Sequence, residues 1–168
     1  MVSEDRKRHG NIAGRPISEN LNISILDRFA GFLGFQSPRR LTGQARLMVE
    51  RLKINPPKPA MNIQQLSGGN QQKVIVGRWL ALNPEVIIFD EPTQGIDIAT
   101  KSQIYELVIK LACQGKGIIL ISSELIEVAK LADRILIVSS GRLAAEMQGP
   151  IDNVDLLFDA CAEKKESA

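Results

Sequence analysis

Cysteine is scarce in this 168-residue chain: Cys113 and Cys161 are the only two, too few for a disulfide framework, so reduced thiols are expected. Aromatic residues make up 4%, so strands must be built mainly from Val, Ile and Leu. The sole histidine, His9, sits in a polar run and reads as an exposed side chain, not a ligand. Long apolar runs are missing: Val86–Phe89 and Ile118–Ile121 are far too short to span a bilayer. No apolar segment follows the basic residues near the start, so no secretory signal is expected, and any membrane link would run through a partner. What remains, 44% hydrophobic and 24% charged, excludes a disordered or collagen-like chain and suffices for a core.

Charge is unevenly spread. Residues 1–65 carry 11 Lys/Arg against 5 Asp/Glu, a balance of +6, and residues 66–168 carry 10 against 14, a balance of −4. The basic part has no interleaved aromatics to stack bases, and Arg39, Arg40, Arg46 and Arg51 fall on helical faces. A solvated or partner-facing surface is expected, not a nucleic-acid site.

The chain begins with a charged loop. Ser18 then reads as an N-cap, with Leu21, Ile25, Phe29 and Phe32 at helical spacing and Gly34 near the end. Ser37-Pro38 predicts a second helix start, and Leu41, Ala45, Met48, Val49 and Leu52 give it one apolar stripe. Asn55–Pro59, with three prolines, must be extended or turning. Beyond residue 65 the apolar strand Val86–Phe89, a stripe at Ile104, Leu107, Val108 and Leu111, the strand Ile118–Ile121, a stripe at Leu125, Val128, Ala129 and Ala132, and the strand Ile135–Val138 alternate strictly. That order predicts a parallel sheet with right-handed crossovers. Ser140-Gly141 turns the chain into Arg142–Glu146, and residues 150–168 read as a short helix with a frayed tail.

Three local signals carry chemistry. Leu66-Ser67-Gly68-Gly69-Asn70-Gln71-Gln72-Lys73 opens a helix, where outward N–H groups, a positive dipole end and glycine make an anion site. Asp90-Glu91-Pro92-Thr93 ends the first apolar strand, the place where open α/β sheets bind ligands. There Asp90 can hold Mg²⁺ through water and Glu91 can orient or deprotonate an attacking water. Gly95-Ile96-Asp97 is a turn before the next helix, with Asp97 also a natural N-cap. Singly, each also fits a plain capped helix or acidic turn.

In order and at this spacing, the three resemble the signature motif, Walker B motif and D-loop of ABC-type ATPases. Glu4-Asp5-Arg6-Lys7, Ser67–Lys73 and Ile121-Ser122-Ser123-Glu124-Leu125 are similar to the second cassette of the tandem ATPases that drive bacterial ribose-, galactoside- and xylose-type importers. The resemblance covers about residues 2–149. It implies an α/β fold, a P-loop NTPase-like parallel sheet, incomplete, with an inserted helical subdomain. The expected division is 1–16 as a Q-loop-like segment, 17–65 as the helical subdomain, 66–149 as the α/β core and 150–168 as a tail.

By the same resemblance, the cofactors are ATP and Mg²⁺. Ser67, Gly68, Gly69 and Gln71 would face a nucleotide held mainly by an opposing cassette, Asp90 would support Mg²⁺, Glu91 would act on the lytic water and Asp97 would communicate across the dimer seam. Glu4 stands where a glutamine usually senses the γ-phosphate, and Ser123 where a switch histidine usually stands. Serine cannot take the charge that histidine can. Membrane-spanning permease subunits would dock on residues 17–60, a periplasmic sugar-binding protein would act indirectly, and the place of work would be the cytoplasmic face of the membrane.

No G-x-x-x-x-G-K-[ST] loop occurs in the sequence; in Gly115-Lys116-Gly117 the lysine is followed by glycine and reads as a helix-end charge. The chain is therefore expected to be about the last two-thirds of a cassette, with unpaired sheet edges and poor solubility. The alternatives are a non-catalytic interaction module derived from such a cassette, or the tail half of a DNA-repair or chromosome-structure ATPase, against which the lack of a heptad seam speaks.

Overall fold

The computed structural model describes residues 10–29 and 37–162. Glu4, His9, Phe32 and Gly34 thus lie outside the described residues. The chain groups into two compact units, Met1–Ile119 and Leu120–Ala168. The helical segment and the stretch from residue 66 to Ile119 share the first unit.

The first helix, α1 (Ile17–Asn22), is short and continues as a 3-10 stretch over Ile23–Phe29. Its N-cap is Pro16, not Ser18 as expected; Ser18 lies inside the helix and its N–H donates to the Pro59 carbonyl at 2.9 Å. The spacing of Leu21, Ile25, Phe29 and Phe32 predicts one continuing helix, but over the described residues polar side chains act against that continuation. Asn22 Nδ2 donates to the Leu41 carbonyl at 2.8 Å, and Ser24 Oγ to the Arg78 carbonyl at 2.6 Å. These bonds fasten the segment to other helices at a tighter pitch.

Helix α2 (Pro38–Arg51) follows the sequence pattern: Pro38 starts it, Ala45, Met48 and Val49 bury the stripe, and Leu52 continues it. Ser37 is the N-cap by backbone only, without a side-chain bond. Arg39, Arg40, Arg46 and Arg51 are all exposed, as a solvated face requires. After Asn55–Pro59 the chain pairs Asn62 with Pro16 in an isolated antiparallel bridge.

Helix α3 (Gly68–Leu80) is buried through most of its length, with Val74, Ile75 and Val76 essentially sealed. It packs on α1, α2 and α4 (Ile98–Cys113), so a helix buried on so many sides organises the unit. At Gly77 an added Cβ would come within 2.7 Å of both Leu21 Cδ2 and Leu52 Cδ1, so glycine allows α1 and α2 to close on α3. Arg78 is 8% exposed and has Asn20 as its partner: Nε donates to the Asn20 carbonyl at 2.7 Å and Nη2 to Oδ1 at 2.8 Å. Burial lowers the guanidinium's proton affinity.

Strand β1 (Val86–Asp90), α4 and β2 (Gly117–Ile121) form the predicted β–α–β unit, and β1 and β2 are neighbours in a parallel two-stranded sheet. Ile87 and Phe89 are buried from β1, and Ile104, Val108 and Leu111 from α4. Gly115, at φ +80°, turns the chain out of α4, where the Lys116 N–H donates to the Leu111 carbonyl at 3.1 Å and its Nζ to Asn83 Oδ1 at 3.0 Å.

The second unit holds α5 (Leu125–Leu131), β3 (Arg134–Ser139), β4 (Arg142–Gln148) and α6 (Val154–Ala162). Its core is Ala129, Ile135, Ile137 and Leu157. Here the expectation of a third parallel strand gives way. β3 pairs antiparallel with β4 through a turn in which Ser140 and Gly141 both take positive φ, a two-residue hairpin. Burial alternates along β3, with Leu136 and Val138 exposed, so the all-apolar run Ile135–Val138 does not mark a strand covered on both faces among the described residues.

Candidate functional site

The first unit brings three of the predicted motifs together. Ser67 is the N-cap of α3, with extended backbone, and its Oγ accepts from the Asn70 side-chain amide at 3.0 Å and its backbone N–H at 3.4 Å. Ser67 and Gly68 are exposed and Gly69 is buried. The glycine pair therefore opens the helix, where the positive end of the dipole favours an anion. Gln71 is turned inward: its Oε1 accepts from Asn11 Nδ2 and its Nε2 donates to the Leu66 carbonyl, both at 3.0 Å.

Asp90 is the last residue of β1 and Glu91 follows it directly; both are partly buried. Glu91 holds φ +45°, a left-handed backbone that costs a non-glycine residue about 1 kcal/mol or more. Pro92 and Thr93 behind it are buried, and Gly95 at φ +64° bends the chain toward α4. Among the described residues no cluster of three or more acids, histidines or cysteines could cage a metal.

Asp97 is the N-cap of α4. Its Oδ1 accepts from the Thr100 N–H at 2.9 Å and its Oδ2 from the Thr100 hydroxyl at 2.7 Å. The side-chain bond from Thr100, then the backbone bonds, hold the carboxyl below the usual aspartate range. Thr100 also stands against α3. A Cβ on Gly69 would lie 2.5 Å from Thr100 Cγ2, 2.6 Å from Oγ1 and 2.9 Å from Cβ. One threonine thus stands against Gly69 while bonding Asp97. Sequence reasoning missed Thr100. The signal was there, since a hydroxyl three residues after an N-cap aspartate is placed to return its bond.

Ser123 belongs to the second unit, exposed between β2 and α5. Its neighbour Ser122 donates to Glu127 Oε2 at 2.5 Å and accepts from the Glu124 N–H at 3.1 Å. Glu4 lies outside the described residues. The structure therefore gathers Ser67, Gly68, Gly69, Gln71, Asp90, Glu91 and Asp97 within one compact unit, and Ser123 within the other.

Comparison with known proteins gives the family. The chain is 44% identical over 166 residues to the arabinose import ATP-binding protein AraG of Rhizobium johnstonii, covering 98% of this chain and 33% of that one. It is 42% identical over 146 residues to the ribose import ATP-binding protein RbsA of Clostridium perfringens, covering 87% and 29%. The chain thus spans about a third of the length of these relatives. A bacterial ABC transporter cassette solved as a dimer shares the fold at a TM-score of 0.68 and 26% identity, over 82% of this chain and 58% of that one. The ABC transporter family description matches residues 6–94, more than half of the 168, and the chain belongs to that family.

Proposed function

We propose that this chain is the signature-bearing portion of the ATP-binding component of an ABC-type monosaccharide importer. One observation carries the reading: Ser67–Gly69 opens a helix in the same unit as Asp97, and Thr100 joins the two. Two surfaces expected to meet a neighbour's nucleotide are thereby built as one piece. The names of the relatives, arabinose and ribose import proteins, supply the substrate class.

In this reading Ser67, Gly68 and Gly69 receive the γ-phosphate of ATP held by a P-loop-bearing cassette. Gln71 would first exchange its bonds to Asn11 and Leu66 before it reached a phosphate. Glu91 accepts a proton from, or orients, the attacking water on its own side of the seam. The donor set of Asp90 and Glu91 suits Mg²⁺, which keeps waters and shares phosphate oxygens instead of needing an all-protein cage. When bound, Mg²⁺ would neutralise phosphate charge. Residues 17–60 would face permease subunits served by a sugar-binding protein, at the cytoplasmic face of the membrane. Among the described residues no helix is long and apolar enough to cross one.

The test pairs this chain with a P-loop-bearing cassette of a sugar importer. The chain should raise the partner's ATP hydrolysis. Gly68→Asp, which sets a carboxylate where phosphate is received, should abolish the increase. Glu91→Gln should leave it, because Glu91 serves the other nucleotide. Absence of any increase with every partner tried would remove the reading.

A further inference from the structure

We propose that the first unit carries a second anion site, sized for a phosphate-like oxyanion, on the signature helix one turn beyond Gly69. Arg51 and Lys53 at the end of α2, Lys73 of α3, and Gln103, Glu106 and Lys110 of α4 line a cavity of about 130 Å³. Leu52 and Ile104 supply buried apolar wall. That space admits a small tetrahedral oxyanion.

Charge argues for an anion. Four cations and one carboxylate leave a balance of +3 around the cavity. None of the four is in an ion pair among the described residues. Lys73 is buried along its stem and its ammonium is partly withdrawn from water. It spends one donor on the Lys53 carbonyl at 2.9 Å, a bond that closes the end of α2. An ammonium has three donors, and the capping bond accounts for one. Asp97 offsets part of the charge, while burial and the neighbouring Lys53 lower the amine's proton affinity. An oxyanion taking the remaining Lys73 donors, with Arg51 and Lys53 at the rim, would reverse that penalty by charge-assisted hydrogen bonds.

This site is separate from the helix N-terminus at Ser67–Gly69 and does not depend on the importer reading. The chain is titrated with inorganic phosphate, with chloride at matched ionic strength, and with Mg-ATP, following backbone amide shifts by NMR. Phosphate should give a saturable change confined to the end of α2 and the facing turns of α3 and α4. The double variant Arg51→Gln/Lys53→Asn changes two exposed residues, and asparagine tolerates the left-handed backbone at position 53. It should keep the wild-type melting temperature and bind phosphate about tenfold more weakly. Lys73→Met should abolish the change. An equal response to chloride, unaltered binding in the double variant, or a response to Mg-ATP without one to phosphate would overturn the proposal.

Discussion

At the scale of single residues, Thr100 sets the state of Asp97. Its hydroxyl and N–H both donate to the carboxylate and hold the proton off. The folded carboxyl is depressed relative to the unfolded chain, so its contribution to α4 is present above the ordinary aspartate range and is lost as pH falls through the lowered value. Thr100→Val removes the stronger donor while keeping shape. The Asp97 titration, read by carboxyl-carbon NMR, should move up toward the ordinary value, and Thr100→Ser should return it. An unchanged titration in the valine variant would show that the backbone bonds alone set it.

At the scale of elements, the polar pins between α1 and α3 matter as much as their apolar contact. Asn20 accepts from Arg78 and from the Ile12 N–H, and donates to the Pro16 carbonyl. Asn20→Ala would remove the side-chain partner of Arg78 Nη2 while Nε keeps the residue-20 carbonyl, and leaving one buried donor unsatisfied costs about 1–3 kcal/mol. Urea unfolding should show a loss of that order, with the midpoint and not the slope changed. Such pins were illegible in the sequence, where Asn20 and Arg78 stand 58 positions apart. Helix α2 was legible because Ser37-Pro38 and a one-sided stripe state both its start and its buried face. The opening of α3 and the Asp97 cap were legible for the same local reason. What was not legible is pairing. The apolar run Ile135–Val138 announces a strand but not its neighbour, and the two-residue turn at Ser140-Gly141 decided for β4. Likewise spacing placed Asp90 and Glu91 at a strand end, but only coordinates show the left-handed backbone of Glu91.

At the scale of the whole molecule, exposed aliphatic surface governs behaviour in solution. Val86 is 59% and Ile119 48% exposed, on β1 and β2, and the described residues add no further strand to that sheet. A short sheet with apolar side chains and open edges recruits other chains. Light scattering on the pure chain should show mass rising with concentration, and Val86→Lys with Ile119→Lys should reduce it. A single monomeric mass at all concentrations would count against this.

The contact between Gly69 and Thr100 also constrains descent. Any lineage that gains a methyl at position 69 must first shrink or shift position 100, so the two sites are bound to drift in step. The opening of α3 thereby takes part of the limit on its sequence from a helix it merely leans on.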